Sequence, residues 1–176
     1  MGGELHWYAV KVFYRRVAEV EGAVGEAGFE TYIPTRIVQD HEGGKGGIRR
    51  EPIVSGLLFV RATARYIRDF QHQFYGKALI YRNAERRAPA VISDREMEAF
   101  KFVTSVEDKG LELINIPPGE LPGTRVRVTG GVFEGAEGYI RRVDHRKRFF
   151  VVIEGVVAVA TSYIPAQWLE AIAEKS

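Results

Sequence analysis

Four histidines, His6, His41, His72 and His145, are the side chains of this 176-residue chain best suited to hold a metal or to move a proton near neutral pH. They show no ligand spacing and cysteine is absent, so neither a zinc site nor thiolate or disulfide chemistry is expected. A G-x-S-x-G elbow, a P-loop and a dinucleotide fingerprint are all missing. The glycines of Gly43-Gly44-Lys45-Gly46-Gly47 fall between two strand-like runs, not between a strand and a helix N-terminus, so they make no phosphate cradle. No pair of carboxylates stands out. The chain is therefore expected to be no enzyme and to use neither cofactor nor metal. What remains is binding chemistry. Arg15 and Arg16 form one cationic group, and Lys45, Arg49 and Arg50 flank the glycine cluster as another. Either group suits the phosphate backbone of a nucleic acid. A solvated surface is the plainer reading of both.

Bulk charge limits that binding. The net charge is +2, and the cations are spread along the chain. Residues 1–103 hold 16 basic and 13 acidic side chains, and residues 104–176 hold 9 and 10. A dedicated non-specific nucleic-acid binder would be more basic and more polarised, so contact with nucleic acid must be local or secondary to a protein partner. No apolar run approaches the ~20 residues that span a bilayer. The opening Met-Gly-Gly-Glu-Leu-His-Trp lacks the basic start and apolar centre of a signal peptide. A cytoplasmic, monomeric protein without membrane contact is expected.

The elements that must position these residues can be read from periodicity. Trp7 to Phe13 is aromatic and β-branched and reads as a strand. Val17, Val20, Val24 and Ala27 recur at helical steps, with Gly28 at the C-cap position. Phe29 to Val38 reads as a second strand, irregular at Pro34, and Ile48 to Ala62 as a third. Ile67, Phe70 and Phe74 mark a short helix, and Ala78 to Tyr81 a short strand. Ser93-Asp94-Arg95-Glu96 is a capping box that opens a helix striped by Met97, Phe100 and Val103. The stretch after Val106 is rich in proline and glycine and reads as a linker. Beyond it the period is two, and four or five short strands imply a small closed barrel. The expected organisation is α+β: residues 5–106, a linker at 107–121, and a β-barrel at 122–174.

Val126-Arg127-Val128-Thr129-Gly130-Gly131-Val132-Phe133-Glu134-Gly135-Ala136-Glu137-Gly138-Tyr139-Ile140 resembles the KOW motif. A tight barrel corner needs positive φ or close backbone approach, which suits Gly130, Gly131, Gly135 and Gly138, and Phe133 is placed to fill the barrel. KOW modules occur in ribosomal proteins and in NusG-type transcription factors. The N-terminal half separates the two. Trp7-Tyr8-Ala9-Val10-Lys11-Val12, followed by a helix and Tyr32-Ile33-Pro34, resembles the opening of a NusG N-terminal domain. Glu51-Pro52-Ile53-Val54-Ser55-Gly56-Leu57-Leu58-Phe59-Val60 is similar to the central strand of that family, with Ser55 in place of its proline and Leu57 in place of its tyrosine. Phe59-Val60-Arg61-Ala62-Thr63, and Gly155 to Thr161 followed by Ile164-Pro165, are similar to the UpxY subfamily of specialised NusG paralogues.

The resemblance implies a fold and a mechanism. The fold is a NusG N-terminal-like antiparallel sheet with flanking helices, linked to an SH3-like KOW barrel. The N-terminal domain bridges the cleft of RNA polymerase, packing on the β′ clamp helices and touching the β gate loop, which keeps the clamp closed and disfavours pausing. Carried over by position, Lys11, Leu57, Phe59 and Ile80 fall on the clamp-helix face, and Arg68, Asp69 and Gln71 at the gate-loop contact. Non-template DNA, upstream duplex or a nascent RNA leader is the implied nucleic-acid partner, Rho or a ribosomal protein the implied partner of the barrel, and the UpxY likeness implies antitermination on surface-polysaccharide operons. The competing reading is a ribosome-associated, RNA-binding KOW protein. Residues 149–161 are dominated by β-branched residues and Phe around Gly155, so the C-terminal module is expected to be β rather than a helical hairpin, leaving the Leu57 and Phe59 face open.

Overall fold

The computed structural model describes residues 2–40, 46–116, 120, 123–143 and 145–173. Its elements run β1 (Leu5–Val12), α1 (Val17–Glu26), β2 (Glu30–Tyr32), β3 (Thr35–Asp40), β4 (Gly47–Pro52), β5 (Leu57–Thr63), α2 (Ala64–Gln73), β6 (Ala78–Ile80) and α3 (Asp94–Ser105). They continue as β7 (Glu112–Ile114), β8 (Thr124–Val128), β9 (Glu137–Val143), β10 (Arg146–Ile153), β11 (Val157–Ala160), a 3-10 turn (Ala166–Trp168) and β12 (Leu169–Ala171). The architecture is α+β. Two compact units form: Met1–Pro34 with Val54–Met97, and Thr35–Ile53 with Glu98–Ser176. This division differs from the expected boundaries, because the β3–β4 hairpin and most of α3 fall with the C-terminal residues.

In the first unit, four antiparallel strands lie in the order β2-β5-β1-β6. Tyr8, Val10 and Val12 on β1, Leu58, Val60 and Ala62 on β5, and Ala78 and Ile80 on β6 share one face. They form one core with Val20 and Val24 of α1 and Ile67 and Phe70 of α2. α2 buries Ile67 and Phe70 of its expected stripe, and α1 buries Val20 and Val24, while Val17 is half-buried and Ala27 is an exposed C-cap. Thr63 caps α2, its hydroxyl accepting from the Tyr66 amide at 3.1 Å; such a cap contributes about 1 kcal/mol. Ser93 caps α3 as expected, its hydroxyl accepting from the Glu96 amide at 3.2 Å.

Two long strand-like runs are broken. The run 29–38 divides at Ile33-Pro34 into β2 and β3, since proline brings no N–H to a ladder. The run 48–62 divides between Pro52 and Leu57. Gly56 takes φ +81°, and a Cβ there would lie 2.4 Å from the Val12 carbonyl oxygen. Its own carbonyl accepts from the Val12 amide at 2.8 Å. Only glycine allows that approach, which starts β5 beside β1 and sets Leu57 opposite Lys11.

In the second unit, β3 and β4 make a hairpin from Thr35↔Pro52 to Asp40↔Gly47, clasped by an Arg36–Glu51 ion pair at 2.9 Å. Six antiparallel strands follow in the order β12-β8-β9-β10-β11-β7. Residues 149–161 are strand, turn and strand, as their β-branched composition implies. The turn after β8 runs under Trp168: the Thr129 amide donates to its carbonyl at 2.7 Å, and Gly131, at φ +80°, lies where a Cβ would come 2.8 Å from the indole ring. Phe133 is buried beside it in sequence, and a Cβ on Gly138 would meet the Phe150 carbonyl at 2.5 Å. Arg125 and Arg127 reach over one Glu137 carboxylate, each at 2.8 Å.

Part of the expected linker is sheet. Ile114, Leu113 and Glu112 pair with Ala158, Val159 and Ala160, making β7 an edge strand on β11. The Asp108 carboxylate accepts from the amides of Gly110 and Ser162 and ties the approach to that edge. The signal was present: Leu111-Glu112-Leu113-Ile114-Asn115-Ile116 is largely alternating, and the surrounding glycines and prolines masked it. Among the described residues, no helix is long and apolar enough to cross a membrane.

Candidate functional site

Strand register decides which side chains share the second face of the four-stranded sheet. Lys11 stands opposite Leu57 on β5 and opposite Leu79 on β6. Ala9 stands opposite Phe59, which in turn faces Tyr32 of β2. This face therefore carries Trp7, Ala9, Lys11, Tyr32, Leu57, Phe59 and Leu79. Ile80 pairs with Val10 and packs into the core with α1 and α2. Its expected place beside Lys11 is corrected: Leu79 occupies it.

The expectation that Leu57 and Phe59 form an open face is corrected as well. They are 2% and 0% exposed, and Trp7 and Ala9 beside them are buried too. The centre of this face is core; what remains open is its β6 rim. Lys11 is exposed, with its ammonium 5.6 Å from the Phe13 ring centre, and Leu79 is 60% exposed. A largely open leucine beside an open lysine gains by being covered, and the cation–π contact holds the lysine near the rim. Beyond the rim, the Tyr81 amide donates to Ala9, and burial pushes the Tyr81 phenol above its ordinary pKa, so it stays a protonated donor.

The turn that leaves β1 adjoins this rim. The Phe13 amide donates to the Lys77 carbonyl at 2.8 Å, joining this turn to the one before β6. Tyr14 and Arg15 sit in succession at φ 59° and 56°, a left-handed pair without glycine. Such a conformation costs on the order of 1–3 kcal/mol per residue and persists where something else requires it. Its effect here is display: Tyr14 is 80% exposed, and Tyr75 across the neighbouring turn is 88% exposed. Arg15 is exposed, and among the described residues no partner holds it. Arg16 is different, because Glu19 takes it at 3.4 Å and Lys77 at the same distance.

The other predicted residues divide between the units. On α2, Arg68 and Asp69 are exposed on the solvent side, whereas the Gln71 side chain accepts from Arg82 at 2.8 Å. Arg49 lies 3.8 Å from Glu51, and Arg50 donates to the Thr35 hydroxyl and the Ser105 carbonyl. These two belong to the second unit and Arg15 and Arg16 to the first. Lys45 lies outside the described residues. Among those described, no group of three or more His, Asp or Glu side chains gathers as metal ligands would. Sequence reasoning missed Leu79, Tyr14 and Tyr75. Period two puts Leu79 and Ile80 on opposite faces, but only the pairing with β1 says which face is which.

The family model described as "Transcription termination factor nusG" matches residues 5–101. A search of curated proteins returns no match. Among solved structures, one titled "Domain interaction in Thermotoga maritima NusG" is 21% identical, covering 97% of this chain and 98% of that one at a TM-score of 0.42. Another, "Crystal Structure of MjSpt4:Spt5 complex conformation B", is 13% identical, covering 97% and 99% at a TM-score of 0.31.

Proposed function

This chain belongs to the NusG family of transcription factors, and from that premise we propose that it binds RNA polymerase across its cleft and promotes processive elongation. The observation that carries the reading is the family match over residues 5–101, which spans every residue assigned to polymerase contact. In this reading residues 5–106 are the polymerase-binding module and residues 122–174 the KOW module, with β7 as an added edge. The clamp-helix contact is the β6 rim, Lys11 with Leu79, while Leu57 and Phe59 stiffen the sheet behind it. Arg68 and Asp69, with Gln71 at their side, meet the gate loop. Arg15, displayed by the strained turn, meets DNA near the cleft.

The function needs no bond to be made or broken. A factor that prefers the closed clamp raises its population by its differential affinity, and about 1.4 kcal/mol shifts the equilibrium tenfold. The target class, following the UpxY likeness, is long surface-polysaccharide operons, where processivity limits output. Rho or a ribosomal protein is the partner of the KOW module.

Single-round transcription with purified core polymerase tests the reading. Adding the chain should shorten dwell at a strong pause by about fivefold or more, the effect of a coupling of about 1 kcal/mol, and should raise readthrough of a terminator. Unchanged dwell and readthrough at saturating protein would refute it.

A further inference from the structure

The two edges of the six-stranded sheet are protected in different ways. Edge strand β12 carries its own charge, Glu170, exposed opposite Arg127, and a charge on an edge discourages another chain from adding to it. Next to the other edge, β11 has no such device. Val157, Ala158, Val159 and Ala160 are all buried, and the run from Gly155 to Ser162 holds no charged side chain. Uncovered, the backbone of such a strand is a template for strand addition. The cover is β7, through the ladder pairs Glu112↔Ala160, Leu113↔Val159 and Ile114↔Ala158. With it comes the exposed Glu112, the charge that β11 lacks.

This cover is fastened at one end and slack at the other. At its head, the Asp108 carboxylate accepts from the Gly110 amide at 3.0 Å and from the Ser162 amide at 2.8 Å, and Leu111 is buried. Gly110 lets the head lie against the chain leaving β11, since a Cβ there would come 2.6 Å from the Ser162 Cβ. Arg148 donates to Glu112 and to the Thr161 carbonyl, a link across the same corner. At its tail, Leu113 is 46% exposed. Ile114, Asn115 and Ile116 line a cavity of about 310 Å³ that they share with Arg141, Arg142 and Phe150. A short strand with little buried apolar surface opens more readily than the sheet it covers.

We propose that residues 107–116 are a guard strand that keeps the chain monomeric: in cis they occupy the β11 edge, and when they lift, that edge pairs with the β11 edge of a second copy. An uncharged strand is well matched to itself. Antiparallel pairing of two β11 edges about a twofold axis sets Val and Ala against Val and Ala, opposes no like charges, and closes after two copies. An acidic or basic strand would gain no ion pair there. The proposal does not rest on polymerase binding.

Sedimentation velocity of the full chain, over a concentration range of about a hundredfold, tests it. The parent should stay monomeric throughout. Asp108→Ala with Gly110→Val, which cuts the latch and forces the head off Ser162, should give a concentration-dependent dimer. Leu113→Gly with Ile114→Gly alters side chains that are already partly open and keeps the latch. It should dimerise more weakly, and it reads the same effect if the first variant does not fold. A peptide of residues 107–116 added in trans should return either variant to monomer by filling the edge, whereas a scrambled peptide should not. In the parent, the β7 amides should exchange with solvent at least about tenfold faster than those of β10. Folded variants that stay monomeric at the highest concentration would overturn the proposal. So would a dimer in the parent, a dimer that the peptide leaves intact, or equal protection of β7 and β10. Failure of both variants to fold would overturn it as well, because the segment would then be core and not a detachable cover. No polymerase is present, so the result is read apart from the elongation reading.

Discussion

Phe59→Asp is expected to unfold the first unit rather than to weaken one interface. Phe59 is fully buried in β5, between Ala9 of β1 and Tyr32 of β2. Truncating a buried phenylalanine costs about 3–5 kcal/mol, and placing a carboxylate there adds a desolvation penalty of several more. A domain has only about 5–15 kcal/mol to lose. The far-UV signal should fall and the thermal transition of this unit should vanish, while Phe59→Leu should retain a cooperative transition. A folded Phe59→Asp protein with near-parental stability would show that this side chain is not core.

Leu79→Asp should do the reverse, leaving stability alone and removing polymerase affinity. Leu79 is largely exposed on edge strand β6, so a carboxylate there stays solvated in the free protein. In the complex it would have to be desolvated against the partner, beside Lys11, which would draw it into a competing ion pair. A hot-spot loss of about 2 kcal/mol or more corresponds to a drop of at least ~30-fold in affinity. Equilibrium titration against core polymerase, with a parallel melting curve, checks both halves. An unchanged dissociation constant would move the contact elsewhere.

Most of the architecture was legible because it rests on local rules. Val20 and Val24, Ile67 and Phe70, and the Ser93 cap announce their helices in short windows. The β-branched run around Gly155 announces two strands and their turn. What local rules cannot supply is register and cover. Leu57 and Phe59 share a face by counting, and the pairing with β1 sets Lys11 opposite Leu57. Ile80 needed its partner on β1, and that partner is Val10. Their burial depends on what closes over the centre of the sheet, which a period of two does not report. β7 was hidden for another reason, since an edge strand of three residues needs only one neighbour and little apolar surface.

The candidate site was legible in outline and displaced in detail. Lys11 is exposed near the end of β1, and Arg68 and Asp69 are exposed on α2. Arg49 and Arg50 are engaged by their own hairpin and by Ser105, a cost that a list of cations in a sequence conceals. Tyr14 is the most informative omission: nothing in Val12-Phe13-Tyr14-Arg15-Arg16 marks a left-handed pair, because no glycine signals it.

Photo-crosslinking from position 79 tests the central claim most directly. With a benzophenone side chain substituted for Leu79 in the full chain, irradiation with core polymerase should give one dominant adduct, on the β′ subunit and within its clamp helices. The same group at Tyr163, an exposed residue of the second unit, should give no such adduct. Absence of any polymerase adduct from position 79, or equal labelling of the clamp helices from both positions, would contradict the account.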